Sequence, residues 1–365
     1  MTREDSEETE DILDVLDLPR LYTCPPLATL LASLDLLATP PPSWDLSVPS
    51  SQKPTLHIVG NPGPWITSLI SSPLNWLPDD TAREMVWETA SLRLAERCGR
   101  AAMPDIDRSF KVAENVEIKI HEPSLDGDNL GLKTWGAAYV LGKRVAGDQV
   151  MKDMIRTALD SDKQQRHGTA KRILELGSGT GLVGLSLAAT ILTTLGGRMD
   201  GETAHVQVHL TDLPPILPNL QRNVEMNKRL IPAAVQITTE HLDWSTHASA
   251  ELSGVTSKGA MNRYPLIIAA DCLYSSEHPG LLSGAVSGWL QKSKDARFII
   301  EIPLRKLFGE VRVDFKRLMV GKGFVIIEEG EEDAMDDWGD GGELMKCWWV
   351  VYGWAGALCE GGEGS

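Results

Sequence analysis

Three glycines and an acid mark the first place where this sequence could do chemistry. In "RILELGSGTGLVGLSLAA", Gly177, Gly179 and Gly181, with Ser178 and Thr180 between them, separate an apolar strand pattern from a helical run, and Glu175 stands just ahead. Glycines at such a turn permit positive φ and let a ligand lie against bare backbone at the carboxyl edge of a sheet. Gly179, Gly181 and Gly184 also satisfy G-x-G-x-x-G, so a nicotinamide dinucleotide is a rival ligand. Glu175 weighs against it. A carboxylate there would face a pyrophosphate unfavourably, whereas it suits a ligand with a cationic amino group, such as S-adenosylmethionine and its product S-adenosylhomocysteine.

Two further acids fall where such a ligand would need them. Asp212, with Leu213 after it, closes "VQVHLTD" and is expected to accept ribose hydroxyls; the segment "TTLGGRMDGETAH" reads as a loop insertion that lengthens its separation from the glycines. Asp243 and Trp244 in "EHLDWS" could receive the adenine amino group and cover its ring. The stretch "LIIAADCLY" then ends an apolar strand on Ala270 and Asp271, with Tyr274 three residues on. Asp271 and Tyr274 are the expected catalytic pair, orienting an amine by hydrogen bonding and cation–π contact. The competing structural reading makes Asp271 the N-cap of the following helix. Cys272 reads as a small buried residue. No proline stiffens the turn in Asp-Cys-Leu-Tyr.

Around these residues the chain has the rhythm of a wound sheet. Short apolar runs, "RILEL", "VQVHLTD", "VQITT", "PLIIAAD", "RFIIEI", "FVIIEE" and "MKCWWVVYGW", alternate with helical-length segments, which implies an α/β fold with a mostly parallel, seven-stranded sheet covered on both faces. The last interval is too short for a crossover, so the seventh strand should return antiparallel. Its acidic segment, "EEGEEDAMDDWGDGGE" from Glu328 to Glu343, reads as a loop that could steer a basic partner. Ahead of the sheet, "CPPLATLLASLDLLA" reads as a helix, the Pro/Ser-rich "TPPPSWDLSVPSSQKPT" as a loop, and "TAREMVWETASLRLAERCGR" as a helix capped by Asp79 or Asp80 and stopping near Gly99. Arg93, Arg97 and Arg100 would form its solvated face. "FKVAENVEIKIHEP" reads as a hairpin and "TWGAAYVLGKRVAGDQVMKDMIRTALD" as one long helix.

Composition bounds the partners. Over 365 residues the formal net charge is −16, which opposes extended binding to nucleic-acid phosphates and leans towards basic protein surfaces. No apolar run reaches the roughly 18 residues of a membrane span. Five scattered cysteines form no CxxC pair, so no metal site is expected and a reducing compartment is, the cytoplasm or also the nucleus.

The succession "TWGAAYVL", "LELGSGTGLVGL", "LTDLPPILPNLQRNVEMN", "LDW" and "IIAADCLY" resembles the class I, Rossmann-like seven-β-strand methyltransferases. Within them it is similar to the family-16 protein-lysine methyltransferases, whose signature is Asp-x-x-Tyr after the fourth strand. "RLAERCGRAAMPDIDRSF" resembles the amino-terminal part of a fungal branch, the rapid-response-to-glucose methyltransferases. The resemblance implies that Trp135, Glu175, Gly177, Gly179, Asp212, Trp244 and Asp271 line a pocket for S-adenosylmethionine, that Tyr274 stands on the methyl-acceptor side, and that a lysine-bearing protein is methylated by a monomer. A histidine or small-molecule acceptor, an NAD(P)-dependent oxidoreductase and a non-catalytic cofactor-binding module are the alternatives. The expected organisation is an acidic tail over 1–17, a helical and hairpin region over 18–132, the methyltransferase domain over 133–358 and a tail over 359–365.

Overall fold

The computed structural model describes residues 12–39, 44, 57–98, 102–125, 130–160, 170–196, 206–246, 264–305, 309–336 and 343–356. The chain divides into two compact units, Met1–Pro104 with Asp337–Glu343, and Asp105–Asp336 with Leu344–Ser365.

The first unit holds β1 (Ile12–Asp14), α1 (Leu27–Leu36), β2 (His57–Val59), α2 (Gly63–Ser71) and α3 (Asp80–Ala95). Ile12–Asp14 pairs in parallel with His57–Val59, and Leu13 and Val15 join the apolar core of Leu30, Leu34, Ile66 and Val86. Leu18 is buried in the same core, so apolar side chains set between the aspartates hold this stretch down. Asp79 is the cap of α3, its carboxylate accepting the Ala82 amide at 2.8 Å. The arginines of α3 differ from the solvated face expected of them. Arg93 pairs with Glu96, and Arg97 donates to the carbonyls of Arg93 and Leu37 at 2.8 and 2.6 Å, because unpaired carbonyls at helix ends attract guanidinium donors. Gly99 and Arg100 lie outside the described residues, as do the insertion's 197–205, most of the Pro/Ser-rich segment, and 357–365.

The second unit opens with the hairpin of β3 (Ile106–Ala113) and β4 (Val116–Glu122). Next come α4 (Gly136–Gly147) and α5 (Gln149–Asp160), where one helix was expected. The break is at Asp148, extended at ψ 126°, whose carboxylate accepts the Met151 amide at 2.7 Å; glycine ends one helix and aspartate caps the next. Then follow β5 (Lys171–Leu176), α6 (Leu182–Thr194), β6 (Val206–Asp212), α7 (Leu217–Asn227), β7 (Val235–His241), β8 (Leu266–Ala270), α8 (His278–Trp289), β9 (Arg297–Pro303), α9 (Gly309–Gly321), β10 (Phe324–Asp336) and β11 (Glu343–Trp354). The sheet order is β10-β11-β9-β8-β5-β6-β7, with β5 to β9 parallel and β11 antiparallel to β9. Period-two alternation splits the core: Ile267 and Ala269 pack with α8 and α9 on one face, Leu266 and Ile268 with α4, α5 and α6 on the other.

β10 runs to Asp336, so the first nine residues of the expected acidic loop are strand. Their charges are partly answered: Glu329 meets Lys316 and the Trp348 indole, Glu332 meets Arg144, and Asp333 meets Lys346. Residues 337–342 lie outside the described residues. No described helix is long and apolar enough to cross a membrane.

Candidate active site

The strand order reverses between the parallel neighbours β5 and β8, and the loops there converge. Leaving β5, the chain takes positive φ at Gly177, Gly179 and Gly181, at +67°, +54° and +87°. This is the left-handed region, where a Cβ is costly. The turn is stitched to β6: the Ser178 amide donates to the Thr211 carbonyl at 2.9 Å, and the Thr211 amide to Ser178 Oγ at 3.0 Å. Asp212 finishes the stitching, accepting the Gly179 amide on Oδ2 and the Leu213 amide on Oδ1, both at 2.7 Å. Desolvation pushes its carboxyl up from the usual aspartate range.

Glu175 lies beneath this turn, 1% exposed. Burial pushes its carboxyl up to about 8, against the opposing pull of Ser178 and the Gly184 amide, and its Oε2 makes no hydrogen bond of normal geometry. Asp243 is the contrast. Its Oδ1 accepts the Ser245 amide and hydroxyl at 2.8 and 2.7 Å, which hold its carboxyl below the usual range.

At the acceptor side, β8 ends on Ala270, and Asp271 follows at φ +47° with its amide on the Glu301 carbonyl at 2.9 Å. A non-glycine residue there is uncommon, and aspartate tolerates it better than most. α8 starts only at His278 with Glu277 as its cap, so Asp271 does not cap that helix. Its Oδ2 stands 3.4 Å from Arg305, whose guanidinium lies 5.0 Å from the centre of the Trp135 ring. Tyr274 is 45% exposed and meets His278 edge-on at 4.4 Å. His278 in turn donates from Nδ1 to the Cys272 carbonyl at 2.8 Å and stands edge-on to Trp244 at 5.9 Å. Cys272 is buried and its thiol is pushed up by desolvation, so it is no nucleophile.

A single cavity of about 280 Å³ joins these groups. Trp135, Glu175, Gly177, Ser178, Gly179, Thr180, Asp212, Leu213, Asp243, Trp244, Ala270, Asp271 and Tyr274 all line it. Gly181 does not: a Cβ there would meet Leu220 at 2.6 Å, so this glycine serves helix packing. Among the ionisable lining residues, three escape the sequence reading, Lys133, His278 and Arg305. Lys133 could have been suspected from its place beside "TWGAAYVL". Nothing local marks the other two.

The residues present fit S-adenosylmethionine. The rim has no side chain where a Cβ would close it, since one on Gly177 would sit 3.1 Å from Trp244 and one on Gly179 3.2 Å from the Gly131 carbonyl. The buried Glu175 oxygen lacks the donor that a cationic amino group would supply.

Fold and site together define a class I methyltransferase. Residues 112–305 match the family described as lysine methyltransferase, and the chain belongs to that family. It is 34% identical over 266 residues to the protein-lysine N-methyltransferase EFM2 of Saccharomyces cerevisiae, covering 72% of this chain and 58% of that protein. It is 30% identical to the protein-lysine N-methyltransferase rrg1 of Schizosaccharomyces pombe over 94% of this chain and all of the relative. A 151-residue stretch, 40% of this chain, is 31% identical to 53% of the Saccharomyces protein-lysine N-methyltransferase EFM6.

Proposed function

We propose that this protein transfers a methyl group from S-adenosylmethionine to a lysine side chain of a protein substrate, acting as a monomer in the cytoplasm and also the nucleus. The observation that carries the reading is one cavity with a glycine-and-carboxylate rim at one end and Asp271 with Tyr274 at the other. Two relatives that each match more than two thirds of this chain bear the name protein-lysine N-methyltransferase, which favours a protein amine over a small molecule. The net charge of −16 favours a basic surface around the target lysine.

When bound, the cofactor supplies an electrophilic methyl on a positive sulfur. The chain's own work is alignment. Asp212 fixes the glycine turn and keeps lone pairs for ribose hydroxyls. Glu175, buried and largely protonated in the free protein, gains a cationic partner and becomes the counter-ion of the amino group. Trp244 covers the adenine. A lysine begins near pKa 10.4 and must lose a proton before attack. Tyr274 offers its ring face and hydroxyl to the incoming amine, and Asp271 orients it.

The test is methyl transfer from labelled S-adenosylmethionine to a lysate of cells lacking the protein, with the modified peptide identified by mass spectrometry. Methyllysine in a basic segment is the expected result. Label confined to histidine, to nucleic acid or to small molecules would replace lysine as the acceptor, and no transfer beside firm S-adenosylhomocysteine binding would leave a cofactor-binding module.

A further inference from the structure

One charged side chain at the acceptor end is unaccounted for by the reaction. Arg305 follows β9, reaches into the cavity, and ties together two of its walls: its Nη2 stands 3.4 Å from Asp271 Oδ2, and its guanidinium plane lies 5.0 Å from the centre of the Trp135 ring. Asp271 is held rigidly, its side chain 6% exposed and its backbone left-handed. The Arg305 side chain is 31% exposed, so it is held by these contacts rather than by burial. A cavity for a cationic amine thus has a fixed cation on the carboxylate that would otherwise attract that amine.

We infer that Arg305 is a specificity-determining residue of the acceptor side: by occupying Asp271 it makes the wall admit a neutral amine and disfavour an ammonium. The inference rests on the proposed methyl-transfer reading, because it takes Asp271 and Tyr274 as the acceptor end. Methyl transfer needs the amine's lone pair, and a like charge within a few ångströms lowers an ammonium pKa by roughly 1–3 pH units. Left alone, Asp271 would act in the opposite sense, holding the ammonium protonated and unreactive. With Arg305 paired to it, Asp271 accepts a hydrogen bond from the amine without rewarding its extra proton.

Other groups around the site do not supply this effect. His278 is held below its ordinary value by desolvation, so it is neutral near pH 7, and burial pushes the Tyr274 hydroxyl up. Cys347 on β11 feels Arg305, but its buried thiol is pushed far up and does not titrate there. Lys133, Glu175, Asp212 and Asp243 also line the cavity, and Asp212 acts on Tyr274 beside Asp271; being the same in wild type and in an Arg305 variant, these groups cancel when the two are compared.

That last point gives a binding test that needs no protein substrate. Sinefungin is the cofactor analogue in which a carbon bearing a primary amine replaces the methylated sulfur; S-adenosylhomocysteine has no charge at that place. The readout is the ratio of their dissociation constants, by calorimetry, from about pH 6 to about pH 9, a range in which the neutral fraction of an aliphatic amine rises steeply. In the wild-type protein sinefungin should gain on S-adenosylhomocysteine as pH rises, because the amine must shed a proton to bind. In Arg305→Gln the ratio near pH 7 should move about tenfold towards sinefungin, with its pH dependence flattened, as one opposite charge is unmasked. Arg305→Lys keeps the charge and should stay within about twofold of wild type, which separates charge from packing. A ratio unmoved in Arg305→Gln, or moved as far in Arg305→Lys, would overturn the role given to Arg305 while leaving the methyltransferase reading intact. If the wild-type protein binds neither analogue, the methyltransferase reading itself fails, and this inference with it.

Discussion

The Asp212 carboxylate accepts the Gly179 amide at 2.7 Å, joining the tip of β6 to the glycine turn after β5. The residue expected to take ribose hydroxyls is thus also a strut of the turn, and its two duties can be separated. Asp212→Asn keeps a carbonyl oxygen for Gly179 but loses the charge; Asp212→Ala loses both. S-adenosylhomocysteine affinity should fall by about 1–3 kcal/mol in Asp212→Ala and by less in Asp212→Asn, while thermal stability falls more in the alanine variant, which loses both the Gly179 and the Leu213 bonds where asparagine loses one. Calorimetry and thermal unfolding on the same samples check this.

A glycine of the turn and a glycine of α6 should fail in different ways. At Gly179 the backbone is left-handed and an added Cβ faces the Gly131 carbonyl at 3.2 Å, so Gly179→Val should cost more than tenfold in S-adenosylhomocysteine affinity with the sheet still folded. At Gly184 a Cβ would come within 2.4 Å of Glu175 Oε2 and 2.3 Å of Leu210, both buried. Gly184→Ala should therefore appear chiefly as lost stability, about 1–3 kcal/mol by urea unfolding.

Glu175 carries a pH signature. Its folded carboxyl is raised to about 8, above the ordinary glutamate value of about 4.3 in the unfolded chain, so between those values the folded state holds a proton that the unfolded state has lost. Its stabilising share is complete below the lower value and is lost as pH rises towards the upper one. Glu301, buried and raised in the same sense, adds to the slope. Glu175→Gln should flatten the decline in stability between about pH 5 and about pH 8 without abolishing it. Binding of S-adenosylhomocysteine near pH 7 should release a proton in the wild type, read from calorimetric enthalpies in buffers of different ionisation heat, and release less in Glu175→Gln.

Much of this site is local in sequence, which is why it was legible. A glycine turn, an acid closing the next strand and Asp-x-x-Tyr after the fourth strand each reach the same sheet edge because parallel strands all present their carboxyl ends there. What sequence could not supply are contacts between separate loops. Arg305 sits 34 residues from Asp271 and 170 from Trp135, and no spacing rule connects them. Likewise the length of β10 is not legible, because a run of acids reads as loop, and the cations that answer some of them lie on distant elements: Lys316 of α9 for Glu329, Arg144 of α4 for Glu332 and Lys346 of β11 for Asp333.

One legible signal was passed over. Asn219, Asn223 and Asn227 stand four apart on α7 and form a ladder of amides along β4: Asn227 takes the Lys119 amide and gives to its carbonyl, Asn223 does the same for His121, and Asn219 also gives to His121. Asn223 further donates to the Thr180 carbonyl at 3.0 Å, fastening the hairpin to the glycine turn. Asn223→Leu would leave the buried His121 amide and Thr180 carbonyl without these partners. A loss of about 1–3 kcal/mol in urea unfolding is expected, together with weaker S-adenosylhomocysteine binding from the loosened turn. Unchanged stability would mean that water replaces the amide ladder.

The last test is of Asp271 and Tyr274. Because α8 begins only at His278, with Glu277 in the N-cap position, Asp271 is too far back to cap it, and its left-handed conformation is best explained by what it presents to the cavity. Asparagine also tolerates that conformation, so Asp271→Asn should fold normally and bind S-adenosylhomocysteine within about threefold of wild type, while methyl transfer falls about 100-fold through lost orientation of the amine. Tyr274 is 45% exposed, so its variants should also fold. Tyr274→Phe keeps the ring against His278 and loses the hydroxyl; Tyr274→Ala loses both and should be slower still. Turnover and cofactor binding must be measured in the same preparations, since the site's two ends are distinguished only by which quantity moves. Full methyl transfer by Asp271→Asn would reduce the aspartate to a shape that fits a left-handed turn, and equal rates in the two tyrosine variants would leave the ring without a part in holding the amine.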